Sequence, residues 1–145
     1  MTKPTGGVGR REARERAIEL AYEAEMRQVD VDELLAVQVI QPAPFVVELL
    51  RAAERERQRA EELISSRASG WRLERMPAVD VLIMRLAVAE LLTMDTPTGV
   101  VLAEAVDLAS RYSTDDSGRF VNGVLAAIAR DVRPASPGRG GRRKR

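Results

Sequence analysis

Apolar residues recur at helical spacing along almost the whole of this chain. Ala13, Ala17, Leu20, Ala21 and Ala24 follow the i, i+4, i+7, i+8 rule and predict one buried face of a helix over roughly residues 9 to 28. Asp30, with Glu33 three positions on, has the form of a capping box and predicts a short helix to about Ile40, which Pro42 and Pro44 interrupt. From Phe45, the spacing of Val46, Leu49, Ala53, Ala60, Leu63 and Ile64 predicts one long helix ending near Ser69-Gly70, with the densely charged ERERQR at 54–59 on its outer side. A short segment around Trp71, Leu73 and Met76 leads to Pro77, which is well placed to open the next helix. There Val79, Leu82, Ile83, Leu86, Ala87 and Leu91 cover a wide face and predict a central position. Thr96-Pro97-Thr98-Gly99 ends that helix, and two more are expected over about 100–112 and 115–131. No strand alternation and no repeat of fixed period is present in the sequence. The expected fold is all-α: one bundle of about seven helices over residues 9–132, with flexible basic arms at 1–8 and 133–145.

At 145 residues the chain can build one sizeable core and is too short for two ordinary ones. No apolar run reaches the roughly 18 residues of a membrane span and the N-terminus has no apolar signal region, so a cytoplasmic location is expected. Histidine and cysteine are both absent, which removes the thiol nucleophile, the imidazole base and the usual zinc and haem ligands. There is no Gly-rich phosphate loop and no spaced Asp cluster either, so neither catalysis, a cofactor nor a metal is expected.

The formal net charge of +1 conceals a segregation. Residues 133–145, RPASPGRGGRRKR, carry six basic residues and no acid, and residues 1–11 carry Lys3, Arg10 and Arg11, again without an acid. The stretch 12–132 keeps 14 basic against 22 acidic residues, a net of −8. Basic ends on an acidic body suit a polyanion such as nucleic acid, although the C-terminal run fits a solvated tail as well. Within RREARER, Arg10, Arg14 and, further round, Arg11 are expected to line one exposed stripe able to grip a phosphate backbone. With Glu12 and Glu15 among them, the same spacing also suits a salt-bridged surface helix; continuity with the basic arm favours phosphate.

DSGRFVNGVL, residues 116–125, interrupts the helical pattern with a glycine that costs a helix interior ~1 kcal/mol relative to alanine. Tyr112 and Phe120 flank the turn STDDSG, whose helix start presents backbone N–H groups of the kind that bind phosphate. Aromatics beside cations are a common way to read single-stranded RNA. Phe120 also shares a face with Val124 and Ile128, which makes it equally a core aromatic. Gly123 is expected where a neighbouring helix passes close, and Asn122 beside it as a hydrogen-bonding group.

RREARERAIELAY, WRLERMPAVDVLIMRLAVAELL at 71–92, AEAVDLASRY at 103–112 and DSGRFVNGVL, in this order from about Arg10 to Ala129, resemble the NusB family of bacterial antitermination factors. RFVNGVL and the RLAVAEL helix are the most specific pieces. The resemblance implies an all-helical, non-catalytic protein of the bacterial cytoplasm. It would bind the single-stranded boxA element of ribosomal RNA leaders together with the ribosomal protein NusE, in a complex on RNA polymerase. Carried over residue by residue, it assigns RNA contacts to Arg10, Arg11, Arg14, Tyr112, Asp116, Arg119 and Phe120. The family pattern is broken at Glu12, often basic, at Ala89, often Tyr, and at Ala103, often Asn. The partner is expected on the exposed side of the helix 78–92, near Asp80 and Arg85, and a spare apolar stripe on the first helix could serve a homodimer or a partner. Two other readings are open. One is a NusB-like RNA-binding domain of the kind joined to ribosomal RNA cytosine methyltransferases, against which stands the absence of a cofactor domain and a catalytic cysteine. The other is a helical adaptor that binds protein alone.

Overall fold

The computed structural model describes residues 6–68 and 70–134. Over these the chain forms α1 (Gly6–Arg27), α2 (Val31–Ala36), α3 (Pro44–Arg55), α4 (Arg57–Arg67), α5 (Ala78–Thr93), α6 (Thr98–Tyr112) and α7 (Asp115–Val132), with one 3-10 turn at Leu73–Arg75 and no strand among the described residues. None of these helices is long and apolar enough to cross a membrane.

α5 is the axis of the fold. Every residue from Leu82 to Leu91 is buried, so the helix is enclosed around its whole circumference and not only on the wide face that the sequence pattern marks. α1, α3, α4, α6 and α7 all pack around it. Leu20, Leu34, Leu49, Ile64, Leu125 and Ile128 close over it fully buried, each contributing on the order of 1.5–3 kcal/mol of transfer free energy.

Two helices depart from their expected lengths for local reasons. The capping box of α2 forms as expected, with the Glu33 N–H donating to Asp30 Oδ1 at 2.8 Å and the Asp30 N–H to Glu33 Oε1 at 2.9 Å. The helix nevertheless stops at Ala36, short of Ile40. Val39 is 99% exposed, so further turns would bury nothing, and the side-chain amides of Gln38 and Gln41 donate to the carbonyls of Leu34 and Leu35 in place of further backbone. The single helix expected from Phe45 to Ser69 bends at Glu56 into α3 and α4. α3 packs on α1 and α5, while α4 packs on α5 and α7; the bend supplies the change of direction, with the Ala60 N–H still donating to Glu56 O at 2.8 Å.

α6 and α7 form the most extensive helix pair, and the glycine that admits the contact is Gly118, not Gly123. A Cβ at Gly118 would lie 2.5 Å from Ser110 Oγ and 3.6 Å from Val106 Cγ1, whereas one at Gly123 meets nothing within 4 Å. The expected close approach at Gly123 is thus corrected: that position faces outward on α7, one turn beyond the crossing. Gly118→Val is expected to destabilise by ~1–3 kcal/mol through overpacking against Ser110, with Val106 already in contact behind it. Gly123→Ala is expected to stabilise by up to ~1 kcal/mol through helix propensity. Urea midpoints of the two variants check both signs.

The boundary placed at 132 also moves. Arg133 is fixed: its guanidinium donates to the carbonyls of Leu91 (2.9 Å), Met94 (2.6 Å) and Thr96 (2.6 Å) and to Thr98 Oγ1 (3.1 Å). It is therefore part of the folded body, closing the C-terminal end of α5 and the link to α6. Lys3 and the basic run from 139 to 145 lie outside the described residues.

Candidate nucleic-acid interface

The expected arginine stripe on α1 is only partly present. Arg10 and Arg11 are exposed, but Arg14 is 6% exposed and turns into the core. There Arg14 Nε donates to Glu90 Oε1 at 3.1 Å and its Nη2 to Glu90 Oε2, a bidentate pair between α1 and the last turn of α5. This corrects the assignment of Arg14 as an RNA contact. The physical reason lies on α5: Glu90 falls inside the most buried helix and, at 2% exposure, requires a cation there. A carboxylate within the apolar run of RLAVAEL is the signal that could have found it.

Arg10 and Arg11 are held differently. The Arg10 guanidinium lies 4.0 Å from the centroid of the half-buried Phe45 ring, and Arg11 reaches Glu104 on α6 at 3.4 Å. Further along α6, Arg111 pairs with Glu15 of α1 and with Asp107 at 3.0 Å. The hydrogen bond from Arg111 to Glu15 holds its guanidinium above the usual range, so it stays charged. Its guanidinium also lies 5.6 Å from the ring centroid of Tyr112, which is 42% exposed. The pairs Arg11–Glu104 and Glu15–Arg111 lay α1 along α6, with Arg11, Arg111 and Tyr112 on that side, while Arg10 lies over Phe45 of α3.

At the head of α7 the motif residues divide by exposure. Asp116 and Arg119 are exposed and ion-paired to each other on the helix surface. Phe120 is half-buried against the core and meets Trp71 edge-on, ring centroids 6.1 Å apart at 64°. The two aromatics of the turn therefore keep different company: Tyr112 with Arg111, Phe120 with Trp71. The helix start is also less open than expected, because Thr114 Oγ1 accepts the Ser117 N–H at 3.0 Å. Ser117, unremarked in the sequence, is the anchor: its hydroxyl donates to Asp80 Oδ2 at 2.7 Å, tying α7 to the first turn of α5.

That bond also corrects the expected partner surface. Asp80 is 2% and Arg85 8% exposed, so neither lies on an open side of α5. Asp80 Oδ1 has no hydrogen-bond partner among the described residues. Arg85 bridges Glu61 at 2.8 Å and Glu25 at 3.2 Å. At Glu25, burial pushes the carboxyl upward, but the hydrogen bond from Arg85 and the nearby charge of Arg57 outweigh it and leave the group below its ordinary value. Both residues serve the packing of α5 against its neighbours.

Known proteins match this chain in sequence and in shape. The NusB family profile matches residues 11–130. The transcription antitermination protein NusB of Saccharopolyspora erythraea is 45% identical over 127 residues, covering 83% of this chain and 86% of that protein. Its namesake from Thermobifida fusca is 44% identical over 82% of this chain and 87% of its own length. Among solved structures, T. maritima NusB superposes with a TM-score of 0.77 at 31% identity, over 92% of this chain and 96% of that one. A structure of the antitermination factors NusB and NusE in complex with dsRNA gives 0.71 at 27% identity, over 84% of this chain and 96% of that one. With its profile spanning nearly every helix and these relatives aligned almost end to end, the chain belongs to the NusB family.

Proposed function

We infer that this chain is a non-catalytic RNA-binding antitermination factor of the bacterial cytoplasm. It acts on boxA-type leaders of ribosomal RNA operons with a NusE-type ribosomal protein, within a complex on RNA polymerase. The observation that carries the reading is the likeness, over most of both chains, to a NusB solved with NusE and RNA. The exposed Arg10 and Arg11, the latter paired to the helix that carries Arg111 and Tyr112, supply cations and an aromatic of matching chemistry. Phosphate contacts supply affinity and register, while the aromatics and Arg119 at the head of α7 are the candidates for reading bases.

Anisotropy of a labelled boxA-type leader RNA across a salt series tests this. Changing Arg10 and Arg11 together to Ala is expected to weaken binding and to flatten the slope of log K against log salt by about 1.4, at ~0.7 for each single-strand phosphate that the protein no longer neutralises. A slope equal to that of the unaltered protein would place the phosphate grip elsewhere. A duplex of the same sequence distinguishes the expected single strand from the double-stranded RNA of the solved complex. If partner and RNA are coupled, each must raise the affinity of the other by the same factor.

A further inference from the structure

We propose that Trp71 is a nucleobase-stacking platform, forming with Phe120 a second aromatic subsite for the RNA strand. The proposal rests on the RNA-binding reading above and extends it to a residue outside α1, α6 and α7. Trp71 is the only tryptophan of the chain, and it is 55% exposed although it carries the largest apolar side chain available for the core. Its exposure is built in. Gly70 takes a positive φ of 75°, which a residue with a side chain rarely adopts, and the Trp71 N–H donates to Ala68 O at 2.8 Å in a tight turn beyond α4. The neighbouring Met76 fills the core instead.

The indole is nonetheless held. Its edge-on contact with Phe120, itself packed against the core, fixes its orientation, so the open part of the ring is a rigid surface. The charge around it suits a phosphate strand. Arg72 and Arg75 flank it in the same turn and are exposed, and neither belongs to an ion pair among the described residues; Glu74 is the one acid between them. Arg119, which precedes Phe120 on α7, is exposed but already paired with Asp116, so the unpaired cations of the subsite are Arg72 and Arg75. Aromatic rings interleaved with arginines that no carboxylate neutralises are the surface to which single-stranded nucleic acid stacks. A protein partner would find the same ring but would have no need of the bare cations.

A single tryptophan makes the test direct. The intact protein is titrated with a boxA-type RNA oligomer while indole emission and the anisotropy of the labelled RNA are followed together. The RNA is expected to quench the emission along the same isotherm as the anisotropy. An abasic oligomer of equal length, which keeps the phosphates and lacks the bases, should leave it unquenched. Trp71→Ala is expected to weaken RNA binding roughly 5- to 100-fold. Trp71→Phe, which keeps a stacking face, should recover most of that loss. Circular dichroism melts of both variants separate a stacking loss from a folding loss. Unchanged emission and unchanged affinity of Trp71→Ala, with RNA still bound, would overturn the platform and leave the RNA reading standing. An emission change produced only by a NusE-type protein would overturn it in favour of a protein contact. If no RNA binds the unaltered protein, the RNA-binding reading fails and the platform with it.

Discussion

Arg14→Ala is expected to lower stability by ~3–5 kcal/mol, and Glu90→Ala by a similar amount. Each change leaves its partner as an uncompensated charge inside the bundle: the two side chains are 7% and 2% exposed, and the pair joins residues 76 apart. Against a total of about 5–15 kcal/mol for a domain, such a loss brings the protein close to unfolding at ambient temperature. The double substitution Arg14→Met with Glu90→Leu should recover most of it, because two apolar side chains of similar size remove both charges at once. Urea titrations of the two single variants and the double variant give the coupling directly. RNA binding of Arg14→Ala should fall only with its folded fraction. A variant that melts normally and loses RNA affinity would return Arg14 to the interface.

The second large effect is expected at Arg133. Its fork satisfies carbonyls that the end of α5 cannot satisfy itself, including those of the buried Leu91 and the half-buried Met94 and Thr96. Arg133→Ala strands these acceptors and should cost about 2–3 kcal/mol, at ~1–3 kcal/mol for each poorly rehydrated group. Lysine keeps the charge but has no planar fork, so Arg133→Lys should recover little. A chain ending at Val132 should match Arg133→Ala in thermal midpoint. Equal midpoints for all of these and the unaltered protein would show that water satisfies the carbonyls as well as the guanidinium does.

What could be read from the sequence follows from how local each signal is. Helix starts were legible where they are encoded within four residues: the Asp30–Glu33 box forms, and Pro77 sits just ahead of α5, whereas Pro97, read as the end of α5, also opens α6 at Thr98. The central position of α5 was legible because its apolar face is wide. Features that depend on a distant partner were not. Arg14 has the helical spacing of a surface arginine, and only Glu90, far along the chain, turns it inward. Asp80 and Arg85 look like the polar side of a helix until Ser117, Glu25 and Glu61 close over them. The two glycines of DSGRFVNGVL lie on one helix, and only the position of α6 tells which of them is crowded. Of the candidate interface, the exposure of Arg10 and Arg11 was legible; the contacts of Phe45 with Arg10 and of Trp71 with Phe120 were not, since each joins separate elements.

The enclosure of α5 also bears on how the protein is made. Its partners come from both ends of the chain: Arg14 arrives at Glu90 from the first helix, and Arg133 reaches the Leu91 carbonyl from beyond the last. Half-finished on the ribosome, the nascent polypeptide holds α1, α3 and α4 with nothing to wrap, and until α7 emerges α5 exposes the side that Leu125 and Ile128 will cover. Such long-range closure is slow relative to helix formation and leaves apolar surface open during synthesis. Translation must run through α7 before the bundle can close, and a chain cut short within α7 leaves that side of α5 uncovered.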